Sequence, residues 1–300
     1  MSNVLFRLDS SFTIGIGHIM RDLVLAKQFK DSNIVFAVQD LSGNINDKIL
    51  ESGFKIEILK SNDIDELNSL IKKLRIDMVV IDHYDIGYKQ EKQIKKSNPK
   101  VKILSFDDTY EKHYCDILLN HNISADSKKY KGLVPKNCEL RCGSKYTLLR
   151  DEFYIEKKKK RNKKLKKVKS VFVAMGGADT AKLNIPILEI LNEFSNIQVN
   201  LVTTNANKEL KELQEYCKNK KWVNLHINSN KIAKILAQSN ISIVTSSMSV
   251  NEVYFMRVPF ITIKTANNQD DIYKYLKKKK YSTLKKFKKK KLINYLCKAL

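Results

Sequence analysis

Short, uninterrupted apolar runs alternate along this chain with longer stretches of helical period, and that alternation leaves few folds other than parallel β-sheets covered by helices. The runs expected as strands are residues 4–8, 34–38, 78–81, 101–106, 117–119, 171–175, 199–203, 241–245 and 260–263. Several of them are uninterrupted apolar runs, as strands buried on both faces are. Between them, Ile19, Leu23, Ala26 and Phe29 mark one helical face, and Ile232, Ile235 and Leu236 mark another.

At 300 residues the chain exceeds the usual size of one domain. A basic run at 157–169, with almost nothing apolar to bury, separates two such α/β series. The expected division is therefore 1–156, a linker at 157–169, 170–283, and a lysine-rich helix or tail at 284–300. Two α/β domains facing each other across a cleft is the expected architecture. Ligands of open α/β sheets bind beyond the carboxyl ends of the strands, so chemistry is sought in the turns after strands.

The formal net charge of +24 suggests a polyanionic partner until its distribution is read. Residues 157–169 hold 10 basic side chains and 274–298 hold 12, with no acid in either, so the rest of the chain carries only +2. Only seven of the 56 basic residues are arginine, the side chain suited to bidentate phosphate and guanine contacts. Two solvated lysine segments are the better reading, and no specific nucleic acid is expected as partner. Tyr275, Tyr281, Phe287 and Tyr295, interleaved in the second run, keep non-specific binding as a minor alternative.

No apolar stretch approaches the roughly 18 residues of a membrane span, and Arg7 and Asp9 interrupt the N-terminus, so a cytoplasmic protein without a membrane partner is expected. Five scattered cysteines, Cys115, Cys138, Cys142, Cys217 and Cys297, fit reduced thiols. A zinc site drawn from His113, Cys115, Cys138 and Cys142 has loose spacing, and buried structural cysteines are the better reading.

Three strand-end turns carry the candidate chemistry. After the first strand comes DSSFTIGIGH, residues 9–18, where Gly15 and Gly17 allow a tight turn and His18 opens a helix. A G-x-G-x-x-G fingerprint fails at Met20, and a Walker loop fails for want of Gly-Lys-Ser/Thr. His18 is either a general base at the mouth of the sheet or a histidine packed at a helix start. In the second half, Gly176-Gly177-Ala178-Asp179 follows one strand and Ser246-Ser247-Met248-Ser249-Val250-Asn251-Glu252 follows another. Hydroxyls and free amides at a helix start suit a diphosphate, and Glu252 suits a ribose diol, although each turn alone is equally an ordinary cap. Asp82-His83-Tyr84 and Asn267-Asn268-Gln269 are weaker candidates, and Asp107-Asp108 is read as a turn.

Together, FRLDSSFTIGIGHIMRDLVLAKQF, IDHYDI, ILSFDDTYEKHYCDILLN, GLVPKNCELRCGSKYTLLRDEF, VAMGGAD and SSMSVNE resemble the UDP-2,4-diacetamido-2,4,6-trideoxy-β-L-altropyranose hydrolase family of pseudaminic acid biosynthesis. The resemblance implies a GT-B fold, two Rossmann-like domains, and an inverting, metal-independent hydrolase that uses no cofactor and acts on a UDP-linked diacetamido sugar. It places the catalytic histidine on His18, with Gly17 beside it, and UDP contacts on Gly176, Gly177, Ser246, Ser247 and Glu252. Tyr84 and Asn268 fall near the sugar and Arg150 is a further contact. A monomer is expected. Met20 and Ala178 depart from the family pattern without touching the base. The terminal helix, with Leu292, Ile293 and Leu296 on one face, is expected to pack back on the first domain, as GT-B helices often do. The alternative is a GT-B glycosyltransferase that passes the sugar of a UDP-amino-sugar donor to an acceptor.

Overall fold

The structure is a computed structural model that describes residues 1–159 and 168–300. Among the described residues the strands form two all-parallel sheets. The first has the order β3 (Lys55–Leu59), β2 (Ser32–Gln39), β1 (Ser2–Leu8), β4 (Met78–Asp82), β5 (Lys102–Phe106), β6 (Ile117–Asn120), β7 (Glu139–Cys142). The second has the order β10 (Val223–Ile227), β9 (Ile197–Thr203), β8 (Lys169–Ala174), β11 (Ile241–Thr245), β12 (Phe260–Ile263), β13 (Ser282–Leu284). The strand order reverses between β1 and β4 in one sheet and between β8 and β11 in the other. Doubly wound sheets open their ligand crevice at such points.

Helices α1 (Gly17–Ala26), α2 (Asp47–Glu51), α3 (Ile64–Lys73) and α4 (Tyr88–Ser97) accompany the first sheet. With the second go α5 (Asp151–Lys158), α6 (Asn184–Leu191), α7 (Leu210–Cys217), α8 (Ile232–Ala237), α9 (Met248–Met256), α10 (Asp270–Lys278) and α11 (Lys289–Ala299). Pleating of β1 sends Val4, Phe6 and Leu8 into one core layer and Leu5 into the layer on the opposite face. The second core is built on Val171, Val173, Ile187, Leu191, Val199 and Ile243.

The chain divides into two compact units, Met1–Leu148 and Leu149–Leu300, so the boundary lies ahead of the expected 156. The cause is α5: its Phe153 is fully buried, its Tyr154 ring meets Phe255 of α9 at 4.9 Å, and Glu152 Oε2 accepts from Ala233 N of α8. Most of the expected linker, residues 160–167, lies outside the described residues. The expected break at 283/284 cuts through β13. Residues 289–299 form helix α11 rather than a free tail, with Leu292 and Leu296 fully buried in the core of the second unit.

Candidate active site

In the first unit the β1–α1 turn is drawn tight by Ser11. Its Oγ accepts from the amides of Thr13 (3.2 Å) and Ile14 (3.0 Å), and its carbonyl accepts from Gly15 N at 2.8 Å. Gly15 has φ +83°, the left-handed region where a side chain costs energy. This turn delivers His18 to the second position of α1, above the end of β4.

There Asp82 receives it. His18 Nδ1 is 2.9 Å from Asp82 Oδ1 and 3.0 Å from the Asp82 carbonyl oxygen. Both oxygens accept, so Nδ1 carries the proton and Nε2 carries the lone pair. Arg21, one turn further along α1, grips the same carboxylate with Nε on Oδ2 at 2.5 Å and Nη2 on Oδ1. Burial alone would raise the pKa of Asp82, but the charge of Arg21 and the contact with His18 outweigh it and hold the group well below the usual carboxylate range. Asp22 is fully buried beside this pair, and neither of its oxygens has a hydrogen-bond partner among the described residues. Burial, then the Asp82 charge, pushes its pKa well up, opposite in direction to that of Asp82. His121, also buried, is driven down to about 3 by burial and then by Arg21, and remains neutral.

Tyr84 stands at the rim. Its ring meets the His18 imidazole edge-on at 5.3 Å and 85°, and its hydroxyl donates to Asp108 Oδ1 at 3.3 Å. Partial desolvation of the hydroxyl end and then the Asp108 charge push the phenol up to about 12 although the side chain as a whole is exposed, so it is a donor at working pH. Beneath the turn, Arg7 donates to both Asp9 oxygens at 2.8 Å, and His83 Nε2 is 3.1 Å from Asp9 Oδ2. Asp85 N donates to His83 Nδ1, which leaves Nε2 as the donor to Asp9. Burial opposes ionisation of Asp9, but His83 and Arg7 bring it down to about 2. His83 is thereby a structural residue that locks the turns after β1 and β4 together.

In the second unit, Gly176 has φ +85° and open space where a Cβ would stand. Gly177 is fixed differently: its carbonyl accepts from Thr203 Oγ1, Thr204 Oγ1 and Thr204 N, each at 3.0 Å, and a Cβ would lie 2.9 Å from Thr204 Cγ2. Asp179 caps α6 through Leu183 N (3.0 Å) and Asn184 N (2.9 Å). After β11, Ser247 takes the N-cap position of α9, yet its hydroxyl pairs with Thr245 Oγ1 at 2.6 Å instead of capping the helix. Ser246 is turned inward: its side chain is fully buried and its amide donates to Ile263 O.

Glu252, on α9, meets Arg150 at the start of α5, with Arg150 Nη2 3.7 Å from Glu252 Oε1 and Nη1 2.9 Å from Glu152 Oε1. Burial lifts Glu252 to about 7 although Arg150 pulls it down. Asn268 is exposed in the short turn Asn267–Gln269 after β12. Thus Gly17 and His18 follow β1, Tyr84 follows the adjacent β4, and the His18 and Tyr84 rings meet. Gly176 and Gly177 follow β8, Ser247 and Glu252 follow the adjacent β11 with Arg150 near Glu252, and Asn268 lies in the turn after β12.

Arg21, Asp22, Asp82, Asp108 and His121 are site residues that sequence reasoning did not single out for these roles. Arg21 and Asp22 stand three and four residues after His18, the spacing that places side chains on one helical face, and this signal was available. Of the drawn zinc set, His113 Nδ1 instead meets Glu91 Oε1 at 2.7 Å, and only Cys115 and Cys138 come together, at 3.7 Å. Among the described residues no three such ligands cluster to hold a metal ion. Asp107 makes the expected turn, accepting from Thr109 N and Tyr110 N.

No family model matches the chain. A UDP-2,4-diacetamido-2,4,6-trideoxy-β-L-altropyranose hydrolase from Campylobacter jejuni is 42% identical over 284 residues, covering 95% of this chain and 99% of the relative. The chain belongs to that hydrolase family. Acinetobacter baumannii MurG is 12% identical with a TM-score of 0.66, covering 99% of this chain and 90% of that one. A UDP-GlcNAc 2-epimerase from Neisseria meningitidis, solved with UDP-GlcNAc, is 12% identical with a TM-score of 0.62, covering 99% and 91%. The fold is of the GT-B type, as the sequence resemblance implied. No described helix is long and apolar enough to cross a membrane.

Proposed function

We propose that this member of the hydrolase family removes UDP from UDP-2,4-diacetamido-2,4,6-trideoxy-β-L-altropyranose, the sugar nucleotide for which its Campylobacter jejuni relative is named. The observation that carries the reading is the His18–Asp82 contact, which fixes the proton on Nδ1 and leaves Nε2 basic at a sheet switch point. His18 Nε2 takes a proton from water as its oxygen bonds to C1 from the face opposite the diphosphate. The C1–O bond breaks with its electron pair leaving on UDP, and the free sugar has inverted configuration. Asp82 stabilises the imidazolium until His18 returns its proton to solvent.

The leaving diphosphate is assigned to the second unit. Gly176 leaves room for close approach, and the first turn of α9 at Ser247 has no side-chain cap competing for its amides. Gly177 holds that turn in shape, and Ser246 supports it from below. Glu252 accepts from the ribose hydroxyls with Arg150 orienting it, while Tyr84 and Asn268 bind the sugar. These donors account for leaving-group stabilisation with no cofactor or metal step. Five free thiols support a cytoplasmic setting. By the family resemblance the step belongs to pseudaminic acid biosynthesis.

The test is turnover of purified protein with this sugar nucleotide and no acceptor, following the anomeric proton by NMR. Release of UDP with free sugar is expected. Turnover only when an acceptor is added would make the protein a glycosyltransferase instead.

A further inference from the structure

Exposed large apolar side chains gather where the proposed chemistry is. Phe12 (82% exposed), Ile14, Ile16 and Tyr84 are four of the ten such side chains in the described structure, and all four lie in the turns that follow β1 and β4. They flank His18 on the chain, and Tyr84 touches it. Scattered single apolar residues on a surface need no explanation, but a concentration in the turns after two adjacent strands points to a ligand. The arrangement is also held in place. Phe12 N donates to Ser42 O at 3.1 Å, Ser10 Oγ accepts from Ile45 N at 3.0 Å, and the Phe12 ring lies so close over Gly43 that a Cβ there would fall 2.5 Å from it. Gly43 has φ +77°, so the 41–46 loop supplies a flat backbone platform on which the ring rests while facing water.

We infer that Phe12, Ile14 and Ile16 form an apolar shelf that selects the sugar by its methyl groups. This rests on the hydrolase reading given above and names what that site discriminates. A 2,4-diacetamido-2,4,6-trideoxy hexose presents a C6 methyl and two acetamido methyls where an ordinary hexose presents hydroxyls. Burying those methyls against isoleucine and phenylalanine is favourable, whereas a 6-hydroxyl placed there would lose its water without gaining a partner. One group of this size in an apolar pocket changes selectivity about 10- to 200-fold.

The experiment compares kcat/KM for the 6-deoxy substrate and for its 6-hydroxy counterpart in the wild type, in Phe12→Ser and in the double variant Ile14→Ser/Ile16→Ser. UDP affinity and Tm are measured alongside. The wild type is expected to prefer the 6-deoxy sugar at least tenfold. The variants should lose most of that preference through the 6-deoxy substrate alone, with UDP affinity and Tm unchanged. Turnover with the wild-type ratio preserved, or an equal fall for both substrates, overturns the shelf and leaves the hydrolase reading standing. A wild type that turns over neither substrate overturns the hydrolase reading and the shelf with it.

Discussion

His18 Nδ1 lies 2.9 Å from Asp82 Oδ1, and Arg21 holds both oxygens of the same carboxylate. A buried acid kept ionised in this way fixes the imidazole tautomer and stabilises the imidazolium that forms when Nε2 accepts a proton. Asp82→Asn keeps the shape and removes the charge. It is expected to lower kcat by about a hundredfold to ten-thousandfold while leaving UDP affinity within about twofold. Parallel kinetics and UDP calorimetry check this, and an unchanged kcat would remove Asp82 from the account.

Glu252 links function to stability with a definite sign. Its pKa of about 7 in the folded chain lies above its ordinary 4.5, so the folded state binds the extra proton between those values. Stability contributed by this group is therefore present below about 4.5 and lost as pH rises towards 7. Glu252→Gln should raise stability at pH 8 by up to about 2–3 kcal/mol, seen as a higher Tm, and should not raise Tm at pH 4.5. The same variant should weaken UDP binding. Thermal unfolding at the two pH values separates the effects.

Gly176 combines a left-handed backbone with open space above it. Gly176→Ala is expected to cost about 1 kcal/mol of stability from backbone strain alone. It should weaken UDP binding by more than that loss explains, because the new methyl stands where the diphosphate is assigned. Calorimetry with UDP, set beside urea unfolding, measures both.

Most of the central fold was readable from sequence, and the pattern of what was missed has a physical cause. All nine expected strands form. The four unread ones, β3, β7, β10 and β13, are the edge strands of the two sheets. An edge strand needs only partial burial, and β3 (KIEIL) and β10 (VNLHI) intersperse polar residues that blur the apolar run. The domain boundary was misplaced for a related reason. A lysine-rich run reads as a linker, yet α5 before it is anchored by Phe153, and α11 within the later run is anchored by Leu292 and Leu296, with the lysines on solvent. At the site, the glycine turns and His18 stood out by chain position. The partners of His18 did not, because Asp82 is 64 residues away and only the β1–β4 pairing brings it near.

The anchoring of α11 is itself testable. Leu296 is fully buried in the second core, so Leu296→Ala should cost about 2–5 kcal/mol, whereas Lys298→Ala on the same helix should cost less than about 0.5 kcal/mol. Equal small effects would mean that α11 contributes little to this core.

The most direct test of the account is single-turnover hydrolysis by His18→Ala and His18→Phe, with UDP affinity measured on the same samples. The account predicts near-complete loss of UDP and free-sugar release, with UDP affinity close to that of the wild type. Retention of turnover within about tenfold of the wild type in either variant would contradict His18 as the base.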